Sequence, residues 1–264
     1  MSPRPTLYLI DANAYVHRAY HALPPLTNSH GEPVQALYGF ARMLQKLLRQ
    51  ENPDHIVVCF DTPAPTFRHK AFAAYKANRK ETDDALKFQL PLARQMAEAW
   101  GFPVVAVEGF ESDDLIATLA DKAAKKGMNA VVVTGDKDAL QLVNEHISVL
   151  NEFQSVTYHP ADVEKKYGLR PDQLVDYFAL TGDASDNVPG VPGIGPKTAT
   201  QILHQFGTLD DALARTREMK DTLRNKLEEH REDALLSRDL VVLNRKVPVP
   251  LEPSECLRKT PDRP

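Results

Sequence analysis

Residues 131–138 read VVVTGDKD, and the fold turns on them. Three consecutive valines are too few for a helix, and β-branched residues suit a strand buried on both faces. The run breaks at Thr134-Gly135, and two aspartates follow, Asp136 and Asp138. The same pattern recurs along the chain. LYLI at 7–10 ends in Asp11, IVVCF at 56–60 ends in Asp61, and VVAV at 104–107 leads through Glu108-Gly109-Phe110 to Glu111, Ser112, Asp113 and Asp114. Between these runs apolar residues return at helical spacing, as in Val34, Leu37, Tyr38, Ala41, Leu44, Leu47 and Leu48, then Leu115, Ile116, Leu119 and Ala123. Strands alternating with helices predict a doubly wound, mostly parallel α/β sheet over roughly the first 150 residues.

Such sheets bind ligands beyond the carboxyl ends of their strands, so the residues at those ends carry the functional information. Here they are Asp11, Asp61, Glu111, Asp113, Asp114, Asp136 and Asp138. One Asp after a strand is an ordinary turn former or helix cap. Seven gathered at one edge cannot all stay ionised without compensation. Hard cations supply it: Mg²⁺ and Mn²⁺ prefer oxygen ligands, and a pair about 3.5–4 Å apart can clamp both oxygens of a phosphodiester displacement. Two further acids in TGDASDN, Asp183 and Asp186, are spaced i, i+3 and could tie a second lobe to this metal edge.

From about residue 160 the strand signals fade and helical segments take over, at 162–167 and 171–180. The Gly/Pro-rich stretch NVPGVPGIGPKTA (187–199) has the character of a helix-hairpin-helix. Its glycines let a backbone approach, the amides opening the next helix face a phosphate, and Lys197 adds a point charge. Thr208 and Asp211 form a capping-box-like helix start. The end of the chain, VPVPLEPSECLRKTPDRP (247–264), is Pro-rich without periodicity and reads as a tail or linker.

The densest basic stretch holds Arg68, His69, Lys70, Tyr75, Lys76, Arg79 and Lys80, directly after Asp61. Its ordinary reading is a solvated helix face. Beside an acidic strand end it instead offers cations, and a Tyr75 stacking surface, to a nucleic-acid strand. His17 and His21 have zinc-compatible i, i+4 spacing, but the adjacent Glu and any Cys partner are missing, so zinc is not expected.

The composition, 42% hydrophobic and 26% charged over 264 residues, excludes disorder and collagen-like repeats. No apolar run approaches the roughly 20 residues of a membrane span, and Cys59 and Cys256 are too few for a disulfide framework, so a reducing cytoplasm is expected. A formal charge of −4 argues at first against a DNA partner. Without the nine candidate metal-site acids, the remaining 27 acids face 32 bases, a positive surplus of five. The acidic balance comes from the site itself.

Seven ordered segments now carry a resemblance: LIDANAYVHRAYHAL (9–23), GEPVQALYGFARML (31–44), FDTPAPTFRHKAFAAYKANR (60–79), GFESDDLIATLA (109–120), TGDKDALQLV (134–143), YGLRPDQLVDYFALTGDASDN (167–187) and VPGVPGIGPKTATQIL (188–203). The chain resembles the 5′ nuclease domains of bacterial DNA polymerase I, within the flap endonuclease superfamily. The resemblance implies a PIN-like α/β core (1–160) with a helical arch at about 65–90, and a helical lobe (161–246) with its hairpin at about 187–206. It implies a first metal set of Asp11, Asp61, Glu111, Asp113 and Asp114, and a second of Asp136, Asp138, Asp183 and Asp186. Lys76 and Arg79, with Asp61 and Asp136, would be catalytic. Arg68, Tyr75, Lys80, Gly193, Gly195 and Lys197 would contact DNA, with K⁺ at the hairpin.

The activity implied is a metal-dependent 5′→3′ exonuclease and 5′ flap endonuclease on branched or nicked DNA and RNA primers. The protein is expected to be a nucleoid-associated monomer, joined to a polymerase or standing alone. A non-catalytic branched-DNA-binding module and a PIN-type endoribonuclease are the rival readings. The first should lack carboxylates that are all present, and the second leaves the arch and hairpin without a purpose.

Overall fold

The computed structural model describes residues 4–259. Its centre is a six-stranded sheet in the order β3-β2-β1-β4-β5-β6. The strands are β1 (Thr6–Asp11), β2 (His55–Cys59), β3 (Val104–Val105), β4 (Asn129–Val133), β5 (Ile147–Asn151) and β6 (Val156–Tyr158). All neighbours are parallel except β6, which returns antiparallel on β5. Chain order reverses between β1 and β4, and the crevice at such a switch point is where sheets of this kind take a ligand. Leu7, Leu9, Val57, Cys59, Ala130 and Val132 join one buried cluster, while Tyr8, Ile10, Ile56, Val58 and Val133 join another. Two covered faces explain why the central strands read as unbroken apolar runs.

One face carries α1 (Ala12–Ala22), α2 (Gln35–Glu51) and, beyond the short α3 (Phe67–Ala71), α4 (Asp84–Ala99). The other carries α5 (Ser112–Lys125) and continues into the helical lobe: α6 (Pro160–Tyr167), α7 (Leu174–Thr181), α8 (Pro196–Phe206), α9 (Leu209–Ala214), α10 (Asp221–Glu229) and α11 (Arg231–Val241). A single apolar cluster runs from β1 and α5 to Leu203, Phe206 and Leu227. Thr208 caps α9 as the spacing predicts, accepting from Asp211 N at 3.1 Å.

Three expectations need correction. The arch does not extend to residue 90. Leu86 and Gln89 of α4 are buried, and Gln89 Oε1 accepts from Ala36 N and Leu37 N, so this helix is scaffold that caps the start of α2. The tail is no linker as far as residue 259. Val247, Val249 and Cys256 are buried, Ile56 N donates to Cys256 O, Arg258 N to Asp54 O, and Glu252 pairs with Lys122 and Lys126 of α5. Residues 260–264 of that segment lie outside the described residues. Finally, the strand at 104–107 shrinks to two residues, and the sheet gains β5 and β6, which the apolar runs did not announce.

At the entry to the hairpin, Gly190 (φ 63°) presses backbone to backbone on Gly182 (φ 68°), the residue that ends α7. A Cβ on Gly190 would lie 2.3 Å from Gly182 N, so only glycine fits. Gly193, Gly195 and Lys197 face solvent at the start of α8, which has Pro196 at its first turn.

Candidate active site

The parallel strands deliver their carboxylates to one edge. Asp11 ends β1 and caps α1, accepting from Ala14 N at 3.2 Å. Asp61 follows β2, and its Oδ1 accepts from Ser112 N at 2.7 Å. Glu111 is the N-cap of α5, and Asp113 and Asp114 lie in its first turn. Asp136 and Asp138 follow β4. The starts of α1 and α5 therefore both point positive helix ends at the cluster.

A cavity of about 230 Å³ opens here, lined by Asp11, Asp61, Glu111, Asp113, Asp136, Asp138 and Asp186 among others. Burial, then the Asp61 charge, pushes the Asp11 carboxyl up to about 7. Burial, then Asp136, pushes Asp138 up to about 8, and the same two causes, burial and neighbouring carboxylates, push Asp113 and Asp136 upward. Asp113 Oδ1 and Asp138 Oδ1 are buried with no hydrogen-bond partner among the described residues. Buried acceptors in a crowd of like charge fit a hard divalent cation.

Among the described residues, no three His, Cys, Asp or Glu side chains are already set around one ion position. Lys76 instead bridges two of the acids, with Nζ 2.7 Å from Glu111 and 3.6 Å from Asp186, and Arg79 pairs with Asp186. Lys76 holds a left-handed backbone (φ 57°), a conformation that costs a non-glycine residue about 1–2 kcal/mol and is here over-determined by its contacts.

Asp183 and Asp186 separate. Asp186 reaches the cavity, whereas Asp183 turns to Lys137 at 2.7 Å. Burial opposes its ionisation, but Lys137 and Ser185 outweigh that and hold its carboxyl below the usual range.

Three residues do not do what their neighbours in sequence suggest. Asp114 is fully buried, and its oxygens are taken by Arg68 Nη1 and Nη2, Glu111 N and Asn244 N, so it is not free to touch a metal. Arg68 is 2% exposed and also donates to the carbonyls of Leu240 and Val242, so it is not a DNA contact. Tyr75 is likewise buried, its hydroxyl 3.2 Å from Glu111, and offers no open stacking face. Lys80 is exposed.

Two uncharged residues that no motif marks also serve the site: Asn13, whose Oδ1 accepts from Asp61 N, and Thr134, whose hydroxyl donates to Asp11 at 2.8 Å and accepts from Asp136 N. Both stand in the segments already quoted, beside an acid at a strand end. His17 also lines the cavity.

Comparison with known proteins agrees with this geometry. Residues 6–168 match the model of the 5′-3′ exonuclease N-terminal resolvase-like domain, and residues 169–264 match that of the 5′-3′ exonuclease C-terminal SAM fold. The chain belongs to the 5′-3′ exonuclease family. It is 40% identical over 257 residues to a 5′-3′ exonuclease of Aquifex aeolicus, covering 97% of this chain and 88% of that one. It is 44% identical over 262 residues to DNA polymerase I of Bacillus caldotenax, covering 97% of this chain but only 30% of that longer protein. The fold matches a bacteriophage T5 flap endonuclease solved with DNA and metal ions, at a TM-score of 0.75 and 23% identity over 90% of this chain and 89% of that one. The expected fold and the expected nuclease family are both borne out. No described helix is long and apolar enough to cross a membrane.

Proposed function

We propose that this 5′-3′ exonuclease family member is a divalent-metal-dependent 5′→3′ exonuclease and structure-specific 5′ flap endonuclease. Its substrates would be branched or nicked DNA and RNA primers in replication and repair. The observation that carries the reading is the convergence of seven carboxylates on one cavity, with two buried oxygens lacking partners among the described residues. Asp11, Asp61, Glu111 and Asp113 would hold one ion, and Asp136, Asp138 and Asp186 a second, joined by Asp183 once it leaves Lys137. Mg²⁺ or Mn²⁺ suits such oxygen donors. When bound, a pair of these ions activates water and stabilises the leaving 3′ oxygen.

The chain's own residues do the rest. Asp11 and Asp61 are held in place by Thr134, Ala14 and Ser112. Lys76 and Arg79 stand at the cavity with their charges on Glu111 and Asp186. An entering phosphate competes for these cations, which then offset charge in the transition state. The exposed amides at Gly193 and Gly195, with Lys197, grip a duplex backbone without reading bases, and K⁺ belongs to the same hairpin reading. Lys80 extends the basic edge. The nuclease core would span 1–160 and the DNA-gripping lobe 161–246, in a cytoplasmic, nucleoid-associated monomer. In longer relatives polymerase domains share the chain.

Incubation of the protein with a 5′-labelled flap duplex in Mg²⁺, beside an EDTA control, tests the reading. Cleavage near the junction in Mg²⁺ alone is expected. Uncut flap in both samples overturns it.

A further inference from the structure

Two loops meet across the mouth of the acidic cavity, residues 74–79 and residues 183–187. Asn78 Nδ2 donates to Ala184 O at 2.6 Å, and Asn187 Nδ2 donates to Ala74 O at 2.7 Å. Between these reciprocal bonds Lys76 N donates to Asp186 O at 2.9 Å. Lys76 and Asn187 both hold left-handed backbones, with φ of 57° at each, so the two turns are shaped to match. The stretch from Phe72 to Asp83 contains no helix or strand, only turns closed by Tyr75 N to Phe72 O, Ala77 N to Ala74 O and Arg79 N to Lys76 O, and no strand ladder ties it to the sheet. Asn78 is exposed and Asn187 half-buried, and neither belongs to a buried apolar cluster.

We infer that Asn78 and Asn187 are positioning residues for cleavage: together they pin the 74–79 turn to the 183–187 loop and so set the Lys76 ammonium over Glu111. The inference rests on the function proposed above. Its chemistry follows from the lysine. A four-carbon stem with free rotors places its charge only as well as its backbone is placed. Each asparagine spends its side-chain donor on the opposite loop's backbone, not on its own turn. Asparagine also tolerates the left-handed region that residue 187 requires. A rivet between lobes is not otherwise needed, since the shared apolar cluster already joins them.

The variants Asn78→Ala, Asn187→Gly and Asn187→Asp separate the hydrogen bond from the backbone. Glycine and aspartate both accept the left-handed conformation but lack the amide donor. Each should lower kcat on a flap duplex in Mg²⁺ by about 10-fold or more, because small misplacements of a catalytic group are costly. The Kd for the same duplex in EDTA and the melting temperature should stay at the parent's values. In a Lys76→Ala background the asparagine variants should bring no further loss, since they act through the lysine. Trypsin should cut after Lys76, Arg79 or Lys80 faster in the variants than in the parent.

Unchanged kcat, an undiminished loss in the Lys76→Ala background, or a fall in melting temperature that tracks the loss overturns the inference. If the parent shows no metal-dependent cleavage, the proposed function fails on its own. The trypsin comparison then still decides whether the two asparagines hold the turn, and equal cutting rates overturn that.

Discussion

Arg68 and Asp114 face each other through two parallel hydrogen bonds, Nη1 to Oδ2 at 2.7 Å and Nη2 to Oδ1 at 2.8 Å, with both side chains buried. The pair joins α3 to the start of α5, and the guanidinium also accepts no solvent role because its remaining donors hold the carbonyls that end α11. Removing one partner leaves an uncompensated buried charge, at a cost of about 3–5 kcal/mol. Arg68→Ala should therefore lower unfolding stability by roughly that amount in urea titrations. The salt dependence of duplex binding should not change in whatever fraction remains folded. A variant as stable as the parent but weaker on DNA would return Arg68 to the binding surface.

Asp136→Ala should abolish turnover while branched-DNA binding remains measurable. Single-turnover cleavage and a binding titration on the same duplex separate the two. Equal loss of both would argue that the residue builds the site and does not serve only the chemistry.

Stability of the metal-free protein should fall as pH rises. An unfolded aspartate has a pKa of about 3.9, and the folded values for Asp11 and Asp138 are raised to about 7 and about 8. A raised folded value means the native state holds protons that the unfolded chain has lost. That contribution is complete below about pH 4 and is gone once pH passes about 8. In EDTA the melting temperature should be higher at pH 5.5 than at pH 8.5. Mg²⁺ should raise it more at pH 8.5, because metal ligands must be deprotonated. A Mg²⁺ effect of equal size at both values would contradict this.

Lys197→Ala should weaken duplex binding and make the slope of log affinity against log salt shallower by about 0.9, the value for one phosphate contact. An unchanged slope would take the hairpin off the DNA surface.

Ending the chain after Lys246 removes the buried Val247, Val249 and Cys256 and the backbone bonds to Asp54 and Ile56. At about 1.5–3 kcal/mol per fully buried aliphatic side chain, thermal unfolding should show a loss of several kcal/mol. A shortened protein that melts with the parent would make this segment a passenger.

The central sheet was legible because β1, β2 and β4 are covered on both faces, so each is an unbroken apolar run closed by an acid. β5 was not, since its residues alternate between buried and half-buried and ISVLN carries a serine and an asparagine. The docking of residues 247–259 was invisible for another reason. Its prolines break periodicity, and what holds it is a backbone pairing with residues some 200 positions earlier. In the site, the acids at strand ends could be named from sequence because topology alone brings them together. Asp114 and Arg68 could not be assigned: one charge looks like its neighbours until the partner 46 residues away is seen to consume it. Thr134 and Asn13 carry no charge, so nothing marked them beyond the company they keep.

The apolar cluster shared by the sheet and the helical lobe has a consequence for where a strand is cut. Because that packing leaves no loose joint, the distance from the hairpin at Gly193–Gly195 to the carboxylate edge is fixed by the fold. On the function proposed above, the molecule would act as a caliper, with one jaw on the duplex and a blade at a set offset. Scission should then fall a constant number of nucleotides from the branch whatever the base sequence, and only substitutions that loosen the jaws against each other should blur it.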